Sequence, residues 1–168
     1  TELFPTVWQA TFQIDALNSG NLSLTNLDIQ DDLAAFAAPG TLLTTPPVSV
    51  TLSGFTDSNG VPTASLNGGF NGTTNTALLA AGSSLDPGRP GQLLITFTYS
   101  VANGFPQGTN TVTATSPILA GPVSATATVD RGGGNYGDTS EFSAHVACTN
   151  NSAPVNSVPG AQSADEDT

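Results

Sequence analysis

Three carboxylates lie close together near the start of the chain, and the chemistry they could support is cation binding. Asp28, Asp31 and Asp32 close the segment LNSGNLSLTNLDIQDDL, residues 17–33. Calcium takes several carboxylate and carbonyl oxygens as ligands, so these three residues could contribute to such a site. Aspartates also cap turns and blunt the edges of sheets, which is a structural interpretation of the same pattern. The pattern favours the structural interpretation and leaves calcium as the alternative.

Other residues with chemical potential do not form a recognisable catalytic set. His145 and Cys148 lie three residues apart on a predicted strand, which places them on opposite faces and disfavours a nucleophile pair. A single histidine cannot build a zinc site without several other ligands. The segment DSNG at 57–60 opens like a calcium loop but lacks the later ligands, so it is interpreted as a turn. The sequence therefore predicts a protein that is not an enzyme, although it leaves a carboxylate pair for glycoside hydrolysis open.

The charge balance excludes two classes of partner. The 168 residues include no lysine, and the basic side chains are Arg89 and Arg131, so the net charge is −11. Such a chain cannot neutralise phosphates, which argues against nucleic acid and anionic membrane surfaces as partners. No apolar run is long enough to insert into a membrane. The absence of lysine also excludes an isopeptide cross-link through a lysine side chain, while the Thr-, Ser- and Asn-rich composition favours an extracellular or cell-surface location.

The elements that must position these residues are predicted to be short β-strands. Apolar and polar residues alternate with a period of two, as in a strand with one buried face. Strands are predicted at 8–16, 22–29 (with a bulge at Thr25–Asn26), 48–53, 92–101, 109–115, 123–129 and 141–147. Turn signals recur about every ten residues between these strands, which is typical of an antiparallel β-sandwich of about 7–9 strands.

Two segments do not follow the alternating pattern. Residues 54–88 are rich in Gly and Asn and are predicted to form turns around one short strand near 63–70, with one helical turn within 75–88. Residues 149–168 have no alternation and contain two prolines. The predicted organisation is a sandwich over residues 1–148. An extended linker and the start of a further module follow over 149–168.

The segment of residues 17–33 resembles the opening of the DUF11-like repeats of bacterial surface proteins. The matching residues are Asn18, Gly20, Asn21, Leu24, Thr25, Asn26 and Asp31. The run FNGTTNTALLAAGSSLDPGRPGQLLITFTYSV resembles the later half of the same unit. The final segment NSAPVNSVPGAQSADEDT is similar to the start of a cadherin-like tandem repeat. These resemblances imply an Ig-like fold within a large exported bacterial protein.

The cadherin-like resemblance also implies where calcium would bind, because ions lie at module junctions in such arrays. The candidate calcium ligands that it implies are Asp165, Glu166 and Asp167 in the tail, with Asp130, Asp138 and Glu141 around the glycine-rich segment RGGGNYGD. The alternative is a solvated loop and tail whose acids bind nothing. No cofactor other than calcium is implied.

The function favoured at this point is that of a structural or adhesive module, acting as a spacer or presenter. Its partners would be neighbouring repeat modules or like subunits. One alternative is a polymerising filament subunit whose tail, 149–168, adds as a strand to a neighbour. Another is a domain that binds a surface glycan or a host protein through the loops at 54–90.

Overall fold

The computed structural model describes residues 6–37, 41–42, 47, 49–101, 108–129 and 139–148. For the strand segments 6–10, 41–42, 128–129 and 139–148, and for residues 101 and 108, this description covers the course of the backbone only. The strands are β1 (Thr6–Asn18), β2 (Asp28–Asp31), β3 (Thr41–Leu42), β4 (Ser49–Gly54), β5 (Pro90–Val101), β6 (Gly108–Thr115), β7 (Val123–Val129) and β8 (Thr139–Cys148). A short helix, α1, spans Leu33–Ala37.

The strands form two sheets, and the all-β class predicted from the alternating pattern is confirmed. In the first sheet the order is β3-β5-β1-β8, and β4 also pairs with β5. The second sheet has the order β2-β6-β7. All the strand pairs are antiparallel except one, because β8 runs parallel to β1. The chain crosses from one sheet to the other four times: between β1 and β2, β2 and β3, β5 and β6, and β7 and β8.

The period-two pattern of β1 and β5 builds one wall of the core. The register places Phe12 opposite Ile95 and Ile14 opposite Leu93, and all four side chains are buried. The intervening positions are partly exposed and, apart from Leu94, polar, so hydrogen-bonded pairs such as Thr11 with Thr96 lie on the outer face. Burial of alternate residues on two long strands is what the sequence pattern requires.

The other wall of the core comes from β2 and β6. Ile29, Val112 and Ala114 are fully buried and belong to the same apolar cluster as the side chains of β1 and β5. The register places Ile29 opposite Ala114. The two sheets therefore share a single core among the described residues.

The helix α1 closes one part of this core, and the sequence pattern did not predict it. Phe36 packs its ring 4.9 Å from Phe12, 5.7 Å from Phe97 and 5.4 Å from Tyr99, measured between ring centroids. These contacts are edge-to-face, the geometry that the charge distribution of aromatic rings favours. A helix of five residues is too short to show a 3.6-residue period, so periodicity could not have indicated it.

The middle segment corrects two predictions. Residues 63–70 form no strand, and residues 75–88 contain no helical turn. Isolated bridges, such as Leu66 with Leu79, replace the predicted strand. The Nδ2 of Asn67 donates to the carbonyl oxygen of Ala77 over 3.0 Å, and the backbone amide of Gly69 donates to the Oδ1 of Asn67. Amide side chains that bond the backbone in this way compete with regular ladders, so the segment folds through local bonds instead.

The connection between β1 and β2 also departs from a simple strand continuation. The predicted restart at Leu22 and Leu24 is reduced to one bridge between Leu24 and Leu85. The bulge predicted at Thr25–Asn26 is a turn instead, and Asn26 there has a φ of 47°, in the left-handed region. The chain thus reaches the second sheet at Asp28. Within the described residues, no helix is long and apolar enough to cross a membrane.

Candidate functional site: the carboxylates at the end of β2

The three aspartates of the first carboxylate cluster point into different environments. Asp28 and Asp31 lie three residues apart on β2, and a strand of alternating faces sends them to opposite sides. Asp28 is partly exposed and its Oδ2 accepts a hydrogen bond from the Nε2 of Gln30 over 2.6 Å. Asp31 is fully buried, whereas Asp32 is exposed. The structure therefore does not bring these carboxylates together around a common point.

Asp32 caps the helix that follows it. Its Oδ1 accepts a hydrogen bond from the backbone amide of Ala35 over 3.0 Å. Asp32 lies immediately before Leu33, the first residue of α1, so it occupies the N-cap position and Ala35 is the third helical residue. This bond satisfies one of the amides that a helix leaves unpaired at its start. The structural interpretation of the cluster holds at this residue.

Asp31 makes the most unusual polar contact in the described core. The Nδ2 of Asn110 donates to the Oδ2 of Asp31 over 3.1 Å, between two residues that are both buried. The strand register explains the contact, because Asp31 lies opposite Val112, and Asn110 is two residues further along the same face of β6. The other oxygens of this pair, Oδ1 of Asp31 and Oδ1 of Asn110, form no hydrogen bond.

Burial of Asp31 changes its protonation. Loss of contact with water raises the pKa of the Asp31 carboxyl from 3.8 to about 7. The hydrogen bond from Asn110 lowers the pKa by less than burial raises it, and the neighbouring negative charge of Asp32 raises it further. The protonated form also carries an O–H donor at a place where two buried oxygens have no partner. Asp31 is therefore built to hold a proton up to near-neutral pH, which is a poor property for a calcium ligand.

The other candidate calcium ligands are not assembled in the described part of the molecule. Asp130, Asp138 and the tail acids Asp165, Glu166 and Asp167 lie outside the described residues. The backbone of Glu141 is in β8, opposite Thr11. Within the residues that the structure describes, no three His, Cys, Asp or Glu side chains form a group that could hold a metal ion.

The segment DSNG forms a turn, as its sequence predicted. The Oδ1 of Asp57 accepts hydrogen bonds from the backbone amides of Asn59 and Val61, both over 2.8 Å. The amide of Val61 is the main cause that holds the pKa of Asp57 below its ordinary value. Gly60 has a φ of 79°, a conformation that glycine adopts without steric cost. The carboxylate of Asp57 is used to shape the chain.

The loops at 54–90 line a depression of about 330 Å³ between residues 62–65 and 81–83, and a second shallow depression next to β2. The depression next to β2 has a volume of about 370 Å³ and is lined by Asn26, Leu27, Asp28, Asn67, Ala77, Leu79, Ala80, Ala81 and Gly82. Most of these side chains are small, and the aromatic residues of the segment, Phe55 and Phe70, are buried elsewhere in the core. The other carboxylate of the segment, Asp86, accepts a hydrogen bond from the Oγ of Ser23 over 2.7 Å. The depression next to β2 thus offers few side chains that could recognise a ligand.

The pairing with Asn110 is the feature of this site that sequence analysis missed. Asn110 lies 79 residues after Asp31, on β6, where the sequence pattern predicts a strand and no polar pairing. The sequence offers one indication of this pairing, which is the position of Asn110 in the alternating pattern. Asn110 lies on the same face of the strand as Val112 and Ala114, which are both apolar. A polar residue on a buried face is a reason to look for a buried partner.

Comparisons of the chain with protein-family models, with curated proteins and with solved structures find no match.

Proposed function

We propose that this chain is a non-enzymatic spacer or presenter module, an Ig-like β-sandwich within an exported multi-domain bacterial surface protein. The proposal combines the resemblance of residues 17–33 to surface-protein repeats with the course of the chain through the two sheets. The distribution of the strands over two sheets supports an Ig-like arrangement, since β1, β3, β4, β5 and β8 form one sheet and β2, β6 and β7 form the other.

The observation that carries the proposal is the parallel pairing of β1 with β8. Gln9 pairs with Thr139 at one end, and Asn18 pairs with Cys148 at the other. Because the strands are parallel, the chain enters β1 at one end of the sheet and leaves β8 at the opposite end. Ten paired residues at about 3.3 Å per residue separate these ends by roughly 30 Å. Modules joined in series through such ends would extend the chain rather than fold it back.

The composition supports an exposed location for such a module. The net charge of −11, with no lysine, keeps like molecules apart and favours solubility. Thr and Ser occupy outward positions on the strands, as in the pair formed by Thr113 and Ser124. A spacer needs a surface of this kind because it must avoid sticking to its neighbours.

Two alternatives receive less support. A glycan-binding domain at 54–90 would need exposed aromatic or acidic groups there, yet Phe55 and Phe70 are buried, the Asp57 carboxylate shapes a turn and the Asp86 carboxylate accepts a hydrogen bond from Ser23. A filament subunit would depend on residues 149–168, which lie outside the described residues. The structural support for the spacer proposal comes from strands whose pairing is described.

The test is the growth in length of tandem copies. Proteins with one, two and three copies of the full chain would be compared by small-angle X-ray scattering. We expect the maximum dimension to rise by a constant step of at least about 30 Å per copy, the length of the paired strands. If the maximum dimension stays nearly unchanged as copies are added, the proposal is contradicted, because the modules then pack side by side.

A matched control separates the module from its connection. In a second series, residues 149–168 are replaced by a Gly/Ser segment of equal length, which behaves as a flexible coil. The step per copy should persist in both series, since it comes from opposite ends of β1 and β8. A step that disappears with the flexible segment would assign the extension to residues 149–168 instead.

A further inference from the structure

We infer that the β1–β8 pair is a mechanical clamp, which resists force pulling the chain from its two ends. The inference builds on the proposed spacer function, since a spacer in a surface protein transmits tension. The inference depends on the relative direction of β1 and β8, and it does not depend on which module lies next to this one in the parent protein. Its physical basis is the geometry of the parallel ladder between Gln9–Asn18 and Thr139–Cys148.

Tension along the chain would shear this ladder. Force on the chain before β1 pulls at Thr6, and force on the chain after β8 pulls at Cys148. The two points lie at opposite ends of a parallel pair, so the strands must slide past one another to separate. The hydrogen bonds of a parallel ladder are evenly spaced and lie across the strands. All of them are therefore loaded at once, and the strands part only when many bonds break together.

The position of β1 strengthens this arrangement. On its other side β1 pairs with β5 through twelve residues, from Thr6–Val101 to Leu17–Pro90. Its inward side chains, including Phe12 and Ile14, are fully buried. β1 is thus anchored on both edges and one face, whereas β8 is the last strand in the order of the sheet. The ladder between them is the first structure that end-to-end tension must break.

A pull from the other end of β8 would load the same bonds differently. Thr139 lies opposite Gln9, close to the start of β1. Force between the N-terminus and position 139 therefore acts at one end of the ladder and peels it one bond at a time. The folded state and its equilibrium stability are the same in both cases, and only the direction of force differs.

Single-molecule force spectroscopy on the full chain tests this directly. The chain carries Thr139→Cys and Cys148→Ser, and one population is held by tags at its two termini. The other population is held by the N-terminal tag and the new thiol at position 139. Forced unfolding reports the rate of crossing the barrier, which depends on the bonds broken in the transition state. We expect a severalfold higher unfolding force for the end-to-end tether, and equal forces along both axes would overturn the clamp.

Proline substitutions provide the second arm of the experiment. Ser143 and Ala144 are neighbours in the middle of β8, opposite Gln13 and Ile14. Successive amides of a strand point to opposite edges, so one of the two substitutions, Ser143→Pro or Ala144→Pro, removes a bond to β1. The same change at Ser124 in β7 is the matched control, since β7 pairs with β6. At least one β8 variant should lower the end-to-end force more than Ser124→Pro does, and the reverse order would contradict the inference.

The two proposals fail in different ways. A module that extends in tandem arrays but yields at equal force along both axes is a spacer without a clamp. A module with axis-dependent force whose copies pack side by side keeps the clamp and loses the spacer function. Loss of folding in a proline variant leaves the comparison of the two tethering axes to decide, because that comparison uses a single protein.

Discussion

At the scale of single residues, Asp31 is the group whose chemistry departs most from its sequence context. Its neighbours Asp28 and Asp32 face solvent to different degrees, while Asp31 is enclosed between β2 and β6 with Asn110 as its hydrogen-bond donor. Burial disfavours the charged form of a carboxyl group, so the pKa of Asp31 rises towards neutrality and the group is protonated over a wider pH range. The fold is thus sensitive to pH at one residue.

The first prediction concerns this pH dependence. The pKa of Asp31 is 3.8 in its ordinary state and about 7 in the folded chain. Between these values the folded state holds a proton that the unfolded state has released, so the free energy of unfolding falls as pH rises. The fall amounts to at most ~1.4 kcal/mol for each pH unit and ends above the folded pKa. Asp31→Asn, which keeps the shape of the neutral acid, should remove this component.

Urea denaturation at pH 4 to 8 measures the effect, with wild type and Asp31→Asn compared at each pH. The difference between the two proteins is the informative quantity, because the other acids also contribute to the pH dependence. We expect the variant to gain stability relative to wild type as pH rises. Curves that run parallel across this range would show that Asp31 ionises normally in the fold.

The second prediction concerns the cap of α1. Asp32→Ala removes the acceptor for the backbone amide of Ala35, so the free energy of unfolding should fall by about 1 kcal/mol. Asp28→Ala is the control, since the partly exposed Asp28 carboxylate accepts a bond from the Gln30 side chain and caps no helix. Thermal or urea melts of both variants compare the losses. An equal loss in the two variants would mean that the cap adds nothing beyond the removal of a charge.

At the scale of elements, the end of the first sheet depends on close approach between Phe55 and β5. Phe55 is fully buried and has a φ of 32°, which is unusual for a residue with a side chain. Its ring lies against Gly91, at a place where β5 pairs with Gly54 and with Ala16. A glycine in a strand commonly marks such a contact, because any side chain would displace its neighbour.

The third prediction follows from this contact. A methyl group added by Gly91→Ala would overlap the Phe55 ring, so the ring or the strand must move. Overpacking of this kind costs typically 1–3 kcal/mol, here in the free energy of unfolding. Gly121→Ala is the matched control, because nothing lies within 4 Å of a methyl group at that position.

Chemical denaturation of both glycine variants provides the measurement. We expect Gly121→Ala to unfold close to the wild-type midpoint and Gly91→Ala to unfold at clearly lower denaturant. A Gly91→Ala protein as stable as wild type would show that Phe55 can rotate away without loss of packing.

At the scale of the whole molecule, the distribution of acids decides where an ion could bind. The carboxylates of β2 point to different environments, and the described residues contain no group of three ligands. Calcium binding stays a prediction, and a calcium site would need the acids around the glycine-rich segment or in the tail. The candidates on the tail are Asp165, Glu166 and Asp167, which lie outside the described residues.

The fourth prediction separates these locations. Melting temperatures of the full chain are measured in millimolar calcium and in chelator, for wild type, for Asp28→Asn/Asp32→Asn, and for Asp165→Asn/Glu166→Gln/Asp167→Asn. We expect the melting temperature of the Asp28→Asn/Asp32→Asn variant to respond to calcium as that of wild type does, because the carboxylates at the end of β2 do not converge. A calcium-dependent rise in melting temperature that only the Asp28→Asn/Asp32→Asn variant loses would place the ion at the end of β2. That result would contradict the conclusion that these carboxylates do not converge.

The sequence by itself determined the all-β class and the positions of the strands with clear alternation. β1, β5 and β7 follow from period two, since a strand with one buried face repeats its apolar residues at every second position. The turn at Asp57 also followed from local chemistry, because its acceptor and donors lie within a few residues.

Only the tertiary structure decided which strands pair and what the polar residues contact. Asn110 reaches Asp31 across 79 residues, β8 lies parallel to β1, and Phe36 packs edge-on against the adjoining rings of Phe12 and Phe97. The bridges that join the middle segment to Leu24 and Gln30 escaped prediction for the same reason, whereas α1 escaped it because five residues are too few to show a helical period. Sheet partners are chosen by burial and hydrogen bonding between distant segments, and a local pattern carries no information about the partner.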